Sequence, residues 1–292
     1  MISILIPAYN NDVAQLVEIL LHQAERSHFP FEMIIADDGS TENFEQNRLL
    51  NHKEHCSYFR FELNKGRTAT RHWLANQAKY PWLLFLDSDV IPVNEDFYSN
   101  YISVIKNKIH CKVVLGGYAY RKVSELNFNL RRQFGRKREE VPAQIRMKAP
   151  YRYVFSGNLL IDKVTFLACN PKDIEGYGLD LVLSGSLERN ETSILHVDNP
   201  VYHDGLEDNK RFLSKCRQTA EQIIAFEQRG LVSASQSKLL ATRQKIISKN
   251  LRLIIRSWLW LKMPFLKLIL QLGIAPLFYL DFYKLYFSLS KK

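Results

Sequence analysis

Three short apolar runs, each closed by small or acidic residues, organise the first third of the chain. Ser3-Ile4-Leu5-Ile6 ends at Pro7-Ala8-Tyr9-Asn10, a strand closed by Pro and Asn. Val13 to Leu21 then places apolar residues at helical spacing. Glu32-Met33-Ile34-Ile35-Ala36 reads as a second strand that runs into Asp37-Asp38-Gly39-Ser40-Thr41. Trp82-Leu83-Leu84-Phe85-Leu86 is too short and too apolar for a solvent-facing helix, which predicts a strand buried on both faces. It enters Asp87-Ser88-Asp89, and Pro92 is expected to stop it soon after. Between the second and third runs, Asn64 to Ala78 forms a basic, Gly-bearing turn that opens into a helix.

In open α/β sheets, ligands collect outside the carboxyl ends of the strands, where these acids fall. On an extended backbone Asp87 and Asp89 point to one side, so a single divalent cation is within reach of both. Hard oxygen ligands suit Mg2+ or Mn2+, completed by substrate phosphates. A strand-ending turn with solvated acids has the same sequence, so Asp-x-Asp alone does not decide between the two. A helix amino terminus beside Lys65 and Arg71 favours an anion such as a diphosphate. No Gly-Lys-Ser/Thr sequence occurs there, which argues against a P-loop nucleotidase.

Three later segments continue the order: Tyr153 to Ile161 with Gly157, then Ile174-Glu175-Gly176-Tyr177-Gly178-Leu179-Asp180-Leu181, then Asn199-Pro200-Val201-Tyr202-His203-Asp204-Gly205. Together, from Ile2 to about Gly205 and roughly the first 70% of the chain, these motifs resemble the GT-A fold glycosyltransferases, and within them the large inverting family 2. The resemblance implies an α/β, Rossmann-like fold with a mixed, mostly parallel sheet flanked by helices. It implies that Pro7, Ala8, Tyr9 and Asp38 hold the nucleoside, usually uridine, that Arg71 helps bind the nucleotide, and that Asp87 lies near the ribose. The metal, Mn2+ or Mg2+, would fall to the Asp87-Ser88-Asp89 motif, chiefly Asp89, with His203 completing its shell or touching the diphosphate. His196 competes with His203, and for any single His a hydrogen-bonded core or surface imidazole is the ordinary alternative. The segment before Leu181 resembles the family's Tyr-Gly-x-Glu-Asp stretch, which carries the catalytic base. Here Leu179 replaces the usual Glu. Asp180 is the first choice for the base, with Glu175 and Asp173 in reserve, because reach to the acceptor hydroxyl decides before pKa does.

Charge changes the picture at the C-terminus. From Lys238 to Lys292 eleven Lys or Arg residues face one acid, Asp281, a surplus equal to the net charge of +10 of the 292-residue chain. The same stretch is apolar and aromatic. Lys245, Lys249, Arg252 and Arg256 would form one helical face, and Ile247, Leu251, Ile254 and Trp258 another. A basic amphipathic helix bounded by Trp reads as an interfacial membrane anchor attracted to anionic lipid. Its longest uncharged run, Leu268 to Leu280, has 13 residues, short of the about 20 needed to span. The alternative is that the tail packs on the catalytic unit with its cations as a solvated rim. No recognised nucleic-acid module accompanies the charge, so no nucleic-acid partner is expected. A smaller basic patch, Arg131-Arg132 and Arg136-Lys137-Arg138, reads either as a solvated helix face or as a loop that meets a phosphate-bearing acceptor.

The remaining features are permissive. Cys56, Cys111, Cys169 and Cys216 have neither zinc nor disulfide spacing, and the apolar run after Met1 is expected to be a strand and not a leader. The expected organisation is a GT-A catalytic domain over 1–210, with a nucleotide-sugar half to about 115 and an acceptor half beyond, then a helical, membrane-associating extension over 211–292. The expected activity is transfer of one sugar, with a UDP-sugar as the expected donor, to a hydroxyl of a lipid-linked or growing glycan in cell-surface polysaccharide synthesis. The expected location is cytoplasmic, peripheral on the inner face of the cell membrane. Use of a dTDP- or GDP-sugar, a polyprenyl-phosphate acceptor, or a catalytically silent membrane-bound scaffold are the alternatives. The Gln-x-x-Arg-Trp motif and multiple spans of processive synthases are missing, which favours single transfer.

Overall fold

The computed structural model describes residues 1–107, 110–121, 129–171, 174–205 and 207–290. Asp173, one of the reserve bases, lies outside them. In chain order the elements begin with β1 (Ile2–Ala8), α1 (Ala14–Arg26), β2 (Phe31–Asp37), α2 (Phe44–Arg48), β3 (Cys56–Arg60) and α3 (Arg67–Gln77). They continue with β4 (Trp82–Leu86), β5 (Val90–Pro92), α4 (Phe97–Asn107), β6 (Val113–Leu115), β7 (Tyr118–Ala119), α5 (Asn129–Phe134) and α6 (Ala143–Arg146). Then come β8 (Asn158–Asp162), α7 (Lys163–Cys169), α8 (Leu179–Arg189), β9 (Ile194–His196) and β10 (Val201–His203). The helices α9 (Asn209–Gln228), α10 (Lys238–Ser248), α11 (Arg252–Gln271) and α12 (Leu277–Ser290) close the chain.

The main sheet runs β3-β2-β1-β4-β8-β6-β9. The first four strands are parallel, and β8 is antiparallel to both β4 and β6. Both faces are apolar. Ile2, Ile4, Ile6, Leu84 and Leu86 pack on α1 and α4, while Leu5, Leu83 and Phe85 pack on α3, α7 and α8. This two-sided burial is what the unbroken apolar run of β4 predicts. Each such side chain contributes about 1.5–3 kcal/mol on burial, and Leu84→Ala would cost about 2–5 kcal/mol.

One strand was missed and two expectations need correction. The strand β3 was not legible, because only Cys56 is buried while Phe59 and Arg60 are exposed, and an edge strand carries little apolar pattern. Pro92 does not stop β4, which ends at Leu86. It lies in β5, part of a small sheet ordered β5-β10-β7, where it faces Val201. The single amphipathic helix read across Lys245 to Trp258 is two helices. Asn250 adopts a left-handed conformation (φ 56°), which Asn tolerates better than most residues, and it separates α10 from α11.

The C-terminal helices pack on the rest of the chain. Leu270, Leu277 and Leu280 join Leu130 of α5 and Phe212 and Leu213 of α9 in one cluster. Leu179 and Val182 of α8 meet Ile223 and Ile224 of α9 and Leu240 of α10 in another. The expected boundary at residue 210 falls within the first turn of α9. No helix among the described residues is long and apolar enough to cross a membrane.

Candidate active site at the carboxyl ends of the strands

The strand order reverses between β1 and β4, and a crevice opens at such a switch point. It holds a cavity of about 560 Å3 lined by Pro7, Ala8, Tyr9, Asp38, Asp87, Asp89, Asp180 and His203. Of the residues expected first for the site, Arg71 alone is not on that wall.

The two neighbouring acids after β2 do different work. Asp37 is wholly buried; it accepts the Ser40 amide at 2.7 Å and the Tyr58 hydroxyl at 2.6 Å. Asp38 accepts the amides of Lys65 at 2.7 Å and Gly66 at 3.0 Å, which pins the entry to α3 against β2. Those two amides are therefore committed to Asp38 rather than to an anion. Asn11 donates to the Ser88 hydroxyl at 2.8 Å and so ties the loop after β1 to the Asp-x-Asp turn.

Asp87 and Asp89 sit in a turn, not on an extended strand, and they have different partners. Asp87 receives Arg71 on Oδ1 and Arg67 on Oδ2, the latter at 3.0 Å. Burial would raise the Asp87 carboxyl, but the two guanidiniums outweigh it and hold the group below the usual carboxylate range. Both Asp87 oxygens accept from guanidiniums, so Asp87 meets the cavity as part of an ion pair and not as the free carboxylate expected. Arg71 is also displaced from its expected role. Its side chain is 3% exposed, lies behind Asp87 and donates to the Ser156 carbonyl at 2.8 Å. The guanidinium that faces the cavity belongs to Arg67, 40% exposed and one helical turn earlier. Arg67 also donates to the Ser156 hydroxyl at 3.1 Å and lies 3.6 Å from Asp180 Oδ1. The Ser156 hydroxyl in turn donates to Asp180.

Asp89 faces His203, with Nε2 and Oδ2 3.7 Å apart. The Asp204 amide donates to the Asp89 carbonyl at 2.9 Å and holds the two loops together. His203 packs between Tyr118 and Tyr120, and its buried Nδ1 has no hydrogen-bond partner among the described residues. Two glycines make room for the acids. A Cβ on Gly205 would stand 1.8 Å from Asp89 Oδ2, and one on Gly157 2.3 Å from Asp87 Oδ2. Among the described residues, no group of three or more His, Cys, Asp or Glu could hold a metal ion. A carboxylate and an imidazole converging on an open cavity fit instead a cation that keeps several positions for diphosphate oxygens and water.

The competing residues are placed elsewhere. His196 is buried under α6: Arg146 donates to Nδ1 at 2.8 Å, and Nε2 donates to the Pro150 carbonyl at 3.0 Å. Burial, against the Pro150 hydrogen bond and with help from the Arg146 charge, pushes this imidazole down to about 4. It is a structural residue. Glu175 is exposed and does not line the cavity. Leu179 turns into the apolar cluster of α8, α9 and α10. In the basic patch, Arg138 pairs with Asp281 at 2.7 Å, whereas Arg131 pairs with Glu139 at 3.0 Å and both line the cavity together with Lys215. Arg67, Ser156 and Gly205 were given no role from sequence, and Gly157 was noted only within its segment. Only Arg67 carried a signal, since it stands four residues before Arg71 and shares its helix face.

Residues 3–162, more than half of the chain, match the family-wide profile of glycosyl transferase family 2. The chain belongs to that family. Two uncharacterized glycosyltransferases are similar: one of Rickettsia felis is 28% identical over 127 residues, and one of Rickettsia conorii is 27% identical over 125. Each match covers 42% of this chain but 20% of the relative, so the chain accounts for about a fifth of their length. Among solved structures, S. aureus TarS 1–349 with UDP is 21% identical at a TM-score of 0.52, over 76% of this chain and 65% of that one. Glucosyl-3-phosphoglycerate synthase from Mycobacterium tuberculosis, with Mn2+, UDP and glucosyl-3-phosphoglycerate, is 16% identical at 0.55, over 80% of each. The mannosyltransferase PcManGT from Pyrobaculum calidifontis, with GDP-Man and Mn2+, is 13% identical at 0.53, over 78% of this chain and 64% of that one. At these identities the family 2 chain shares with them its fold, GT-A.

Proposed function

We propose that this family 2 chain transfers one sugar, with inversion, from a UDP-sugar to a hydroxyl of a lipid-linked or growing cell-surface glycan. The observation that carries the reading is the convergence of Asp38, Asp87, Asp89, Asp180 and His203 on one cavity at the β1/β4 switch point. The presence of UDP in two of the similar structures supports the choice of base. Pro7, Ala8, Tyr9 and Asp38 would hold the nucleoside. Asp89 and His203 would hold Mn2+ or Mg2+, which when bound offsets charge on the leaving diphosphate. Arg67, and not Arg71, is placed to face that diphosphate, while Arg71 keeps Asp87 in position. Asp180 takes the acceptor proton as the acceptor oxygen bonds to the anomeric carbon and the bond from that carbon to the diphosphate breaks. One displacement inverts the centre.

Binding is the first test. Ligand that binds only the folded state raises the melting temperature, so UDP with Mn2+ is expected to shift it, and Asp89→Ala to abolish the metal-dependent part. A larger shift with GDP would reassign the donor. No shift with any nucleoside diphosphate would overturn the reading.

A further inference from the structure

The helix α11 has two faces of opposite character. Leu259, Leu266 and Leu270 are buried against the neighbouring helices. On the other side Leu253, Trp260, Leu261, Phe265, Leu268 and Leu272 are each more than half exposed, up to 71% at Leu253. The exposed side continues past α11. Ile274 and Phe278 are at least half exposed, and Trp258 and Phe278 both meet the ring of Phe282, with centroids 6.1 and 6.0 Å apart. Soluble monomers rarely leave so continuous an apolar strip in water.

Charge frames the strip. At about 100° per residue, Arg256 and Lys267 fall on one flank of the exposed arc and Lys262 on the other, and no acid occurs from Lys238 to Leu280. The next acid, Asp281, is engaged by Arg138. An apolar face with cations along both edges matches the acyl boundary and headgroup layer of an anionic bilayer, with the helix in the interfacial plane. A protein partner would need acids placed along both edges and an apolar groove between them.

We propose that the outward face of α11, extended by Ile274 and Phe278, docks this protein onto an anionic lipid bilayer. The inference goes beyond the proposed reaction and does not rest on it. The docking helix is joined to the cavity wall by a buried residue. Asn209 donates to the Gln271 carbonyl at the end of α11 at 3.0 Å and accepts the Leu130 amide at 3.1 Å, beside Arg131. Docking therefore acts on the same packed block that carries Arg131 and Lys215 at the far end of the cavity.

The test is sedimentation of the full chain with vesicles of phosphatidylcholine, with and without phosphatidylglycerol. Binding is expected only when phosphatidylglycerol is present, and high salt should weaken it. The triple variant Arg256→Gln/Lys262→Gln/Lys267→Gln should bind about a hundredfold more weakly, from about fivefold per cation. The variant Leu261→Gln/Phe265→Gln/Leu268→Gln should lose at least tenfold. Leu261, Phe265, Leu268, Lys262 and Lys267 are exposed and Arg256 is half-buried, so both variants should keep nearly the parent melting temperature and its shift with UDP and Mn2+. That second readout separates failure of docking from failure of the proposed reaction. Absence of binding to phosphatidylglycerol vesicles would overturn the proposal, as would equal binding to neutral vesicles. A concentration-dependent dimer abolished by the Leu261/Phe265/Leu268 variant, without vesicle binding, would assign the face to a second copy instead.

Discussion

The strand-end wall of the cavity and the outer face of α11 stand at opposite extremes of satisfaction. On the wall nearly every charge has a protein partner: Asp38 with two amides, Asp87 with two guanidiniums, Asp180 with Ser156 and Arg67. On the outer face of α11 Leu253, Trp260, Leu261, Phe265, Leu268 and Leu272 are each left more than half exposed. A wall satisfied from within fixes one geometry before any ligand arrives, which is what catalysis by positioning requires. A face left unsatisfied takes its partner from outside. Breaking a contact should therefore cost activity or stability on the wall, and only association on α11.

The largest effect should come from the one wall carboxylate held by a hydroxyl and a distant guanidinium. Asp180→Asn should lower sugar transfer by about 10²–10⁴-fold, the range for a general base, while the thermal shift with UDP and Mn2+ survives. Loss of both together would show that Asp180 shapes the cavity and does not act as the base.

The two arginines on Asp87 sharpen the contrast within the wall. Arg71 is buried while Asp87 is 20% exposed and keeps Arg67, so Arg71→Met should cost about 3 kcal/mol of stability, the low end for a broken buried pair. Arg67 is partly exposed and faces the cavity, so Arg67→Met should leave the melting point nearly unchanged and lower turnover about a hundredfold, as removal of one charge-stabilising donor does. Equal effects of the two substitutions on stability and turnover would erase the distinction between the positioning arginine and the cavity-facing one.

How far sequence reached follows the same division. The buried strands β1, β2 and β4 were legible because unbroken apolar runs bounded by Pro, Asp and Gly leave few alternatives. The exposed edge strand β3 was hidden because Ser57, Phe59 and Arg60 carry no such pattern. Of the site, the acids and His203 were legible by type and order, and they do converge on one cavity. Their partners were not. Whether a guanidinium reaches Asp87 depends on α3 packing across β1 and β2, and that long-range packing fixes Arg67 and Arg71 in place. The role of Gly205 was equally hidden, since a close approach to Asp89 appears only once β5 and β10 pair. In the tail, Lys245, Lys249, Arg252 and Arg256 kept a helical period straight through the break at Asn250, because a periodic pattern does not register a single left-handed residue.

Beneath the acceptor half, His196 extends the satisfied region into a pH dependence. Its imidazole is pushed down to about 4 by burial, below the ordinary value of about 6.5. The unfolded chain therefore takes up this proton first as pH falls. The stability contributed by the neutral, Arg146-bonded imidazole is complete above about pH 6.5 and declines between there and about 4, by about 3 kcal/mol in all. Melting temperatures of the parent and His196→Asn across that window measure it. The parent should lose more on acidification than the variant, and parallel curves would overturn the assignment of a neutral, structural imidazole.

The smallest expected effect tests the least satisfied corner of the wall. Asp89 and His203 are 3.7 Å apart without a hydrogen bond between them, and the space beside Asp89 exists because residue 205 has no side chain. In Gly205→Ala the new Cβ would meet Asp89 Oδ2 at 1.8 Å, so the carboxylate must rotate or the loop after β10 must shift. Either change misaligns the carboxylate and imidazole without removing a charge or a ligand atom. Affinity for Mn2+ in the presence of UDP should fall by about 10–100-fold, the scale of misoriented ligands, while UDP alone still binds and the apo melting temperature changes little. Mn2+ titration of the UDP thermal shift reads this directly. An unchanged Mn2+ dependence would mean that Asp89 and His203 do not form the metal pair, and the open corner of the cavity would then belong to the sugar or the acceptor.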